Sequence, residues 1–253
     1  MRGDGALIAM VGSLPIYIGY DQREDAAYEV CRESLLRHSS IPLHIVKLDQ
    51  AALTRAGLYR RRWRVTEDGN RVDLGDLRPF STEFAFTRFM VPALSLYQGW
   101  ALFCDCDFLF TADIAELFDL ADPKYAAMCV KHDHDPVEAT KMGGVVQSRY
   151  RRKNWSSLVL WNCGHPSNAM LTGYVVNQFA GQWLHAFEWL SDAEIGSLPL
   201  RWNWLAGVSE SLGITPAGIH FTLGGPWIPK VGGMPYEDLW RAEHDRFTQS
   251  EGA

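Results

Sequence analysis

Pro15 to Tyr20 is an unbroken apolar and aromatic run, closed by Asp21-Gln22-Arg23-Glu24. Such a run predicts a buried strand, and the acids at its end favour a helix N-terminus. Tyr28, Cys31, Leu35 and Leu36 then recur at helical spacing, and Leu43 to Leu48 reads as a second strand. Strand, helix and strand within residues 15–48 predict a βαβ unit and a parallel sheet. Residues 54–80 are rich in Arg and Gly, with Asp68-Gly69-Asn70 as a turn or hairpin tip. Ser81-Thr82-Glu83 opens an amphipathic helix through about Gln98, its apolar set Phe86, Phe89, Met90 and Leu94, and Gly99 ends it. Trp100 to Phe110 reads as one buried strand, Ala112 to Leu120 as a short helix and Tyr125 to Val130 as another strand. The remainder alternates short strands (156–161, 218–221) with Gly/Pro-rich loops. No repeat or low-complexity linker divides the chain, which predicts a single α/β domain over 1–253.

Composition changes this picture little. Of 253 residues 47% are hydrophobic and 21% charged, as in an ordinary globular protein. The net charge of -6 argues against a nucleic-acid binder, which needs a basic surplus. Two basic clusters, Arg60-Arg61-Arg62-Trp63-Arg64 and Arg149-Tyr150-Arg151-Arg152-Lys153, run against that charge. Solvated loops are the favoured reading of both; contact with an anionic acceptor, a phosphate or a membrane surface is the other. Five cysteines with no CxxC pair suit neither a disulfide framework nor a structural zinc site. The apolar stretch Ala6 to Leu14 is too short to span a bilayer and carries no convincing cleavage site. The expected address is the cytoplasm, with no transmembrane segment and room for peripheral membrane contact.

Candidate chemistry centres on Cys104-Asp105-Cys106-Asp107. In a continuous strand, side chains alternate, so Cys104, Cys106 and Phe108 face one way and Asp105 and Asp107 the other. Two unpaired carboxylates forced together cost several kcal/mol or shift a pKa. A divalent cation removes the conflict, and oxygen ligands suit Mg2+ or Mn2+. Capping of the helix at 112 is the structural alternative, although Thr111 and Asp113 already serve that end. DxD alone is a weak signal, and haloacid-dehalogenase-type phosphatases use it too, normally after the first strand. The second element is His220-Phe221-Thr222-Leu223-Gly224-Gly225-Pro226-Trp227, where an imidazole leaves a short strand ahead of a glycine pair.

CDCD after an apolar strand, with HFTLGGPW about 110 residues later, resembles the GT-A (Rossmann-like) glycosyltransferases and specifically glycosyltransferase family 8. PIYIGYDQRE resembles that family's first strand and nucleotide turn, STEFAFTRFMVPAL its Arg-bearing helix, Asn154 to Asn162 its Asn-small-small-apolar strand, and LPLRWN its LP-x-x-WN segment. The resemblance runs from about residue 15 to 228. It implies a mixed, mainly parallel sheet flanked by helices, with a nucleotide-sugar half over about 14–130, a donor-sugar and acceptor half over about 131–230, and a tail over 231–253. It implies Mn2+ or Mg2+ held by Asp105, Asp107 and His220. Tyr20, Asp21 and Arg23 would approach base and ribose, Gly224 and Gly225 the phosphates, and Arg88, Asn154 and the Asp192–Glu194 region the donor sugar. Two departures stand out: Gly225 occupies the place of the family's diphosphate-gripping Lys, and Asp192-Ala193-Glu194 that of its Asp-Gln-Asp element. Ser191 and Glu194 equally form a capping-box pattern.

The expectation is therefore metal-dependent transfer of a sugar from a nucleotide donor, UDP by resemblance, to a hydroxyl of a glycan or other acceptor, with retention. The cation would act as Lewis acid as the nucleoside diphosphate leaves. Asp192 or Glu194 would be the nucleophile if a covalent intermediate formed. The other readings are a degenerate GT-A domain that binds nucleotide or glycan without catalysis, and a DxD-type phosphatase. Of ten tryptophans, Trp155, Trp183, Trp189, Trp202 and Trp204 are candidates to wall an acceptor cleft, most of them being core.

Overall fold

The pattern at residues 15–48 folds as read, into β1 (Leu14–Tyr20), α1 (Asp25–His38) and β2 (Leu43–Asp49), with β1 and β2 parallel from Leu14↔Leu43 to Tyr20↔Asp49. The computed structural model describes residues 12–133, 152–229 and 231–251, so most of the apolar stretch 6–14 and Arg149, Tyr150 and Arg151 of the second basic cluster lie outside it. Asp21 caps a 3-10 turn over Gln22–Glu24 that leads into α1, whose apolar stripe buries Tyr28, Val30, Cys31 and Leu35. Asp49 caps the short α2 (Gln50–Arg55) by accepting from the amides of Ala51 and Ala52. The Arg-rich segment then forms an antiparallel meander of β3 (Trp63–Val65), β4 (Arg71–Asp73) and β5 (Pro79–Phe80). Its tip turns at Gly69, whose φ of +78° an L side chain resists.

Two sequence expectations fail here. The helix expected over 81–98 is reduced to a 3-10 turn at Thr87–Met90 and one turn of α3 (Val91–Leu94). Pro92 lacks the amide an uninterrupted helix would need, and Leu96 and Tyr97 then take positive φ values of 53° and 54°. The strand expected over 100–110 is two strands, β6 (Trp100–Cys104) and β7 (Phe108–Phe110), in different sheets. Asp105, Cys106 and Asp107 form the turn between them, so strand alternation does not bring the two aspartates together.

The rest follows as α4 (Ala115–Phe118), β8 (Ala127–Cys129), β9 (Leu158–Asn162), α5 (Gly173–Gln178), α6 (Gly181–His185), β10 (Ile195–Ser197), β11 (Trp204–Leu205), β12 (Gly218–His220) and α7 (Glu237–Glu251). The main sheet has the order β10-β8-β9-β6-β1-β2. Only β9 runs against the others, pairing antiparallel with both β6 and β8, so the sheet is mixed and mainly parallel. A second sheet, β11-β12-β7, sets β12 antiparallel to β7. Its satellite core of Val30, Leu109, Trp204, Ile219, Phe221 and Trp240 is covered by α7. The main core lies around the central strands, where Ile16, Leu102, Phe103, Leu160 and Trp161 are fully buried. Each aliphatic or Phe side chain of that kind contributes about 1.5–3 kcal/mol of burial.

Neither basic cluster is simply solvated. Arg61 is buried, forks onto Asp73 at 2.6 and 3.3 Å, and donates to the carbonyls of Val176 and Phe179. Arg152 is also buried and donates to the carbonyls of Ala186 and Phe187 and to Asp192. Arg61 ties residues 176–179 to the β4 segment, and Arg152 ties residues 186–192 to the segment ahead of β9, a use that their five donors permit. The five cysteines are buried and free. Trp202 and Trp204 are core residues, while Trp155, Trp183 and Trp189 are partly buried against the main core.

Candidate active site

β1 and β6 run side by side, so the turns after Tyr20 and Cys104 emerge at the same carboxyl edge of the sheet. This edge is where open α/β sheets hold ligands. The amide of Asp105 is fixed by the Ser157 carbonyl at 2.9 Å, and the Asp107 carbonyl accepts from the Phe221 amide at 3.0 Å. The β7–β12 pairing, His220 opposite Phe108, then brings an imidazole from more than a hundred residues away. The two rings stack at 4.5 Å. Asp105, Asp107 and His220 converge so that one ligand atom from each lies within 4.8 Å of the others. His220 Nε2 is 3.3 Å from Asp107 Oδ1, and its Nδ1 is 3.0 Å from Asn203 Oδ1. Two carboxylate oxygens and one imidazole nitrogen are a donor set that fits Mn2+ or Mg2+. Asp113 meanwhile accepts from the amides of Ala115 and Ser40, so the aspartate pair is not the cap of α4.

Arg88 joins this cluster. Its Nη1 lies 2.9 Å from Asp105 Oδ1 and donates to the Ser156 carbonyl at 2.8 Å. Ser156 Oγ in turn contacts His185 Nδ1 at 2.8 Å. Burial, and then the charge of Arg88, hold His185 well below the usual histidine range, so this imidazole is neutral. Asn154 precedes the same segment in the left-handed region, φ 63°, and Ser157 Oγ donates to its carbonyl at 2.7 Å. Arg88 and Asn154 are thus brought to the carboxyl edge with Asp105.

The turn after β1 is closed by its own hydrogen bonds. Asp21 is fully buried and takes five hydrogen bonds, from Arg23 N, Nε and Nη2, Arg71 Nη1 and Glu83 N. A carboxylate offers about four acceptor sites, so Asp21 has none left for a base or ribose. Burial would raise its carboxyl, but the Arg23 and Arg71 bonds hold it at about 2. Arg71 also reaches Glu83 at 2.8 Å, clamping the β3–β5 meander onto the turn. Arg23 is spent partly on Asp21 and on the Ser81 carbonyl, and the Tyr20 hydroxyl donates to Asp25 at 2.8 Å. Burial and that bond push Tyr20 up to about 12.

Asp192 and Glu194 are not part of this cluster. β10 runs parallel to β8, with Ile195 opposite Ala127, which is level with Trp161 and Ala101 across β9 and β6. Glu194 therefore lies at the amino edge of the sheet, roughly 15 Å along the strands from the Asp105 end, whereas the Asp192 carboxylate reaches Arg152, two residues before Asn154. Ser191 and Glu194 form the full capping box, Ser167 binds Glu194 as well, and these bonds hold the Glu194 carboxyl at about 2. Asp192 pairs with Arg152 at 2.6 Å. Asp192 and Glu194 are thus engaged in structural bonds, Glu194 with Ser191 and Ser167 and Asp192 with Arg152.

Gly224 adopts φ +106°. At Gly225 a Cβ would sit 2.1 Å from the Trp227 ring, so the indole occupies the space a side chain at 225 would need. One neighbour was missed from sequence. Glu24 accepts from Cys106 Sγ at 3.5 Å, and burial followed by the charges of Asp107 and Asp21 pushes it up to about 7. Its only sequence signal was a place in the acidic turn after β1.

No protein-family model matches the chain. Over 238 residues it is 49% identical to Protein CDI of Arabidopsis thaliana, covering 92% of this chain and 87% of that protein. The chain belongs to the Protein CDI family. Among solved structures, apo GlyE of Streptococcus pneumoniae superposes with a TM-score of 0.58 at 15% identity, over 94% of this chain and 64% of that one. The bifunctional glycosyltransferase WbbM gives 0.54 at 15%, over 92% and 52%. An active-site variant of LgtC gives 0.55 at 10%, over 92% and 96%. This CDI-family chain thus spans about half of WbbM and under two thirds of GlyE, and shares with all three the GT-A-like glycosyltransferase fold. Among the described residues no helix is long and apolar enough to cross a membrane.

Proposed function

We propose that the chain is a metal-dependent glycosyltransferase that moves a sugar from a nucleotide donor to an acceptor hydroxyl. The observation that carries this reading is the convergence of Asp105, Asp107 and His220 at the carboxyl edge of a GT-A-like sheet. LgtC, a galactosyltransferase of the same fold, was crystallised in complex with donor and acceptor sugar analogues, and superposes with a TM-score of 0.52. A UDP donor and retention at the anomeric carbon follow from the resemblance to glycosyltransferase family 8.

Asp105, Asp107 and His220 would hold Mn2+ or Mg2+, which when bound supplies Lewis-acid neutralisation of the departing diphosphate. Arg88 adds a fixed cation next to Asp105, oriented by the Ser156 carbonyl, and stabilises negative charge developing at this edge. The Gly224–Gly225 segment offers main chain to the phosphates, and Asn154 offers an amide to the donor sugar. Asp192 and Glu194 are engaged by Arg152, Ser191 and Ser167, which favours acceptor attack on the face the leaving group vacates over a covalent intermediate on either of them.

A second reading, a GT-A domain that binds nucleotide without turnover, draws support from Trp227 in place of a phosphate-gripping Lys. Donor hydrolysis separates the two. Nucleotide release from a panel of UDP-sugars should need Mn2+ or Mg2+, stop with chelator, and give an axial or equatorial product bond matching the donor by NMR. Absence of metal-dependent release from every donor would leave the binding reading, and an inverted product would remove the family 8 mechanism.

A further inference from the structure

His220 is held by more than its strand. Gly218, two residues earlier, passes so close to the Trp202 carbonyl that a Cβ there would lie 2.3 Å from it. That approach sets Asn203, which is fully buried, beside the imidazole. From Asn203 a line of contacts runs inward: Oδ1 to His220 Nδ1 at 3.0 Å, Nδ2 to Ser157 Oγ at 2.9 Å, and Ser157 Oγ to the Asn154 carbonyl at 2.7 Å.

The direction of this line is set at its far end. A backbone carbonyl only accepts, so the single Ser157 hydroxyl proton points to Asn154. Ser157 Oγ must then accept from Asn203, which puts the amide nitrogen on that side and the amide oxygen on the His220 side. His220 Nδ1 therefore carries the proton, and Nε2 presents a lone pair toward Asp107. The same Ser157 holds Asp105 through its own carbonyl. One residue thus supports two of the three ligand candidates, through main chain and through side chain.

We propose that Asn203, backed by Ser157 and the Asn154 carbonyl, is a positioning residue that locks His220 as the Nδ1–H tautomer and so makes Nε2 a cation ligand in advance of binding. The proposal rests on the reading of Asp105, Asp107 and His220 as a cation site. Outer partners of this kind typically change metal affinity by about 10–100-fold when removed. In the competing arrangement Ser157 gives up the Asn154 carbonyl and donates to Asn203, the Asn203 amide donates to His220 Nδ1, and His220 Nε2–H donates to Asp107.

The test has two arms. In metal-free, 15N-labelled protein at a pH where the imidazole is neutral, long-range 1H–15N correlation reports the His220 tautomer, the signal being assigned by its loss in His220→Gln. Nδ1–H is expected, and Nε2–H overturns the proposal while leaving the cation site standing. In the second arm, Mn2+ binding is followed by electron paramagnetic resonance. Asn203→Leu should bind about 10–100-fold more weakly, and Asn203→Asp, which still accepts from Nδ1–H, should recover most of that loss. Equal binding by wild type and Asn203→Leu overturns the positioning role alone. Failure of the wild type to bind Mn2+ overturns the cation site itself. Should Asn203→Leu not fold, the tautomer in the wild type still decides.

Discussion

The indole of Trp227 lies against the backbone of Gly225, so that even a methyl group at 225 would stand 2.1 Å from the ring. The absent side chain is therefore a packing requirement. Gly225→Ala should destabilise by about 1–3 kcal/mol through overpacking, read as a lowered urea midpoint with unchanged m-value. Gly225→Lys should do at least as much harm and bring no gain in donor affinity. Trimming the indole in a Gly225→Ala, Trp227→Leu double variant should recover part of the loss relative to additivity. Strict additivity of the two changes would show that the contact carries no energy.

Asp21 makes stability depend on acid in a defined window. Its folded carboxyl sits at about 2 against an ordinary value of 3.8, so the folded state gains when the group is ionised. That contribution is fully present above about pH 4 and is lost as pH falls toward 2. Asp21→Asn should cost on the order of 2 kcal/mol at pH 6 and progressively less in acid, the two urea midpoints converging near pH 2. A constant gap between them would mean that the Arg23 and Arg71 bonds do not act through the carboxylate charge.

How much of this could be read from sequence differs between the two ends of the chain. The βαβ start was legible because apolar runs and helical spacing are local signals, and β1, α1 and β2 appear where the pattern puts them. Asp105, Asp107 and His220 were legible as a set only through motif order, since their meeting depends on β7 pairing with β12. Strand alternation was the wrong reason for the aspartates, which sit in a turn between two sheets. The roles of Asp21, Arg71 and Arg61 were not legible at all. Each depends on a hydrogen-bond partner 12 to 118 residues away, and a charged residue in a basic or acidic run carries no mark of burial.

If Asp105, Asp107 and His220 bind a cation, stability must respond to it. At a concentration 100 times the dissociation constant, the folded state gains about 2.7 kcal/mol, so Mn2+ should raise the wild-type melting temperature. Asp107→Asn should abolish that rise and reduce metal-dependent donor hydrolysis at least about 100-fold. With chelator present, the wild type and variant should melt within about 1 kcal/mol of each other, because only the metal-dependent term has been removed. A Mn2+-induced rise that survives the substitution would place the ion elsewhere.

Asp192 and Glu194 offer the sharpest separation of position from resemblance. Both precede β10, Glu194 at the amino edge of the sheet and Asp192 held by Arg152, while the cation candidates lie at the carboxyl edge. Asp192→Ala removes one acceptor of the buried Arg152, which keeps the Ala186 and Phe187 carbonyls, and should cost about 1–3 kcal/mol. Glu194→Ala loses the capping box and the Ser167 contact, and should cost about 1 kcal/mol. Neither should change donor turnover by more than about twofold. Removal of a group acting at the anomeric carbon would instead lower kcat by at least about 100-fold. Such a loss in either variant, with the fold intact by circular dichroism, would require the second half of the chain to rearrange when donor binds. Turnover near the wild-type value would leave the acceptor hydroxyl and the carboxyl-edge residues as the reacting partners.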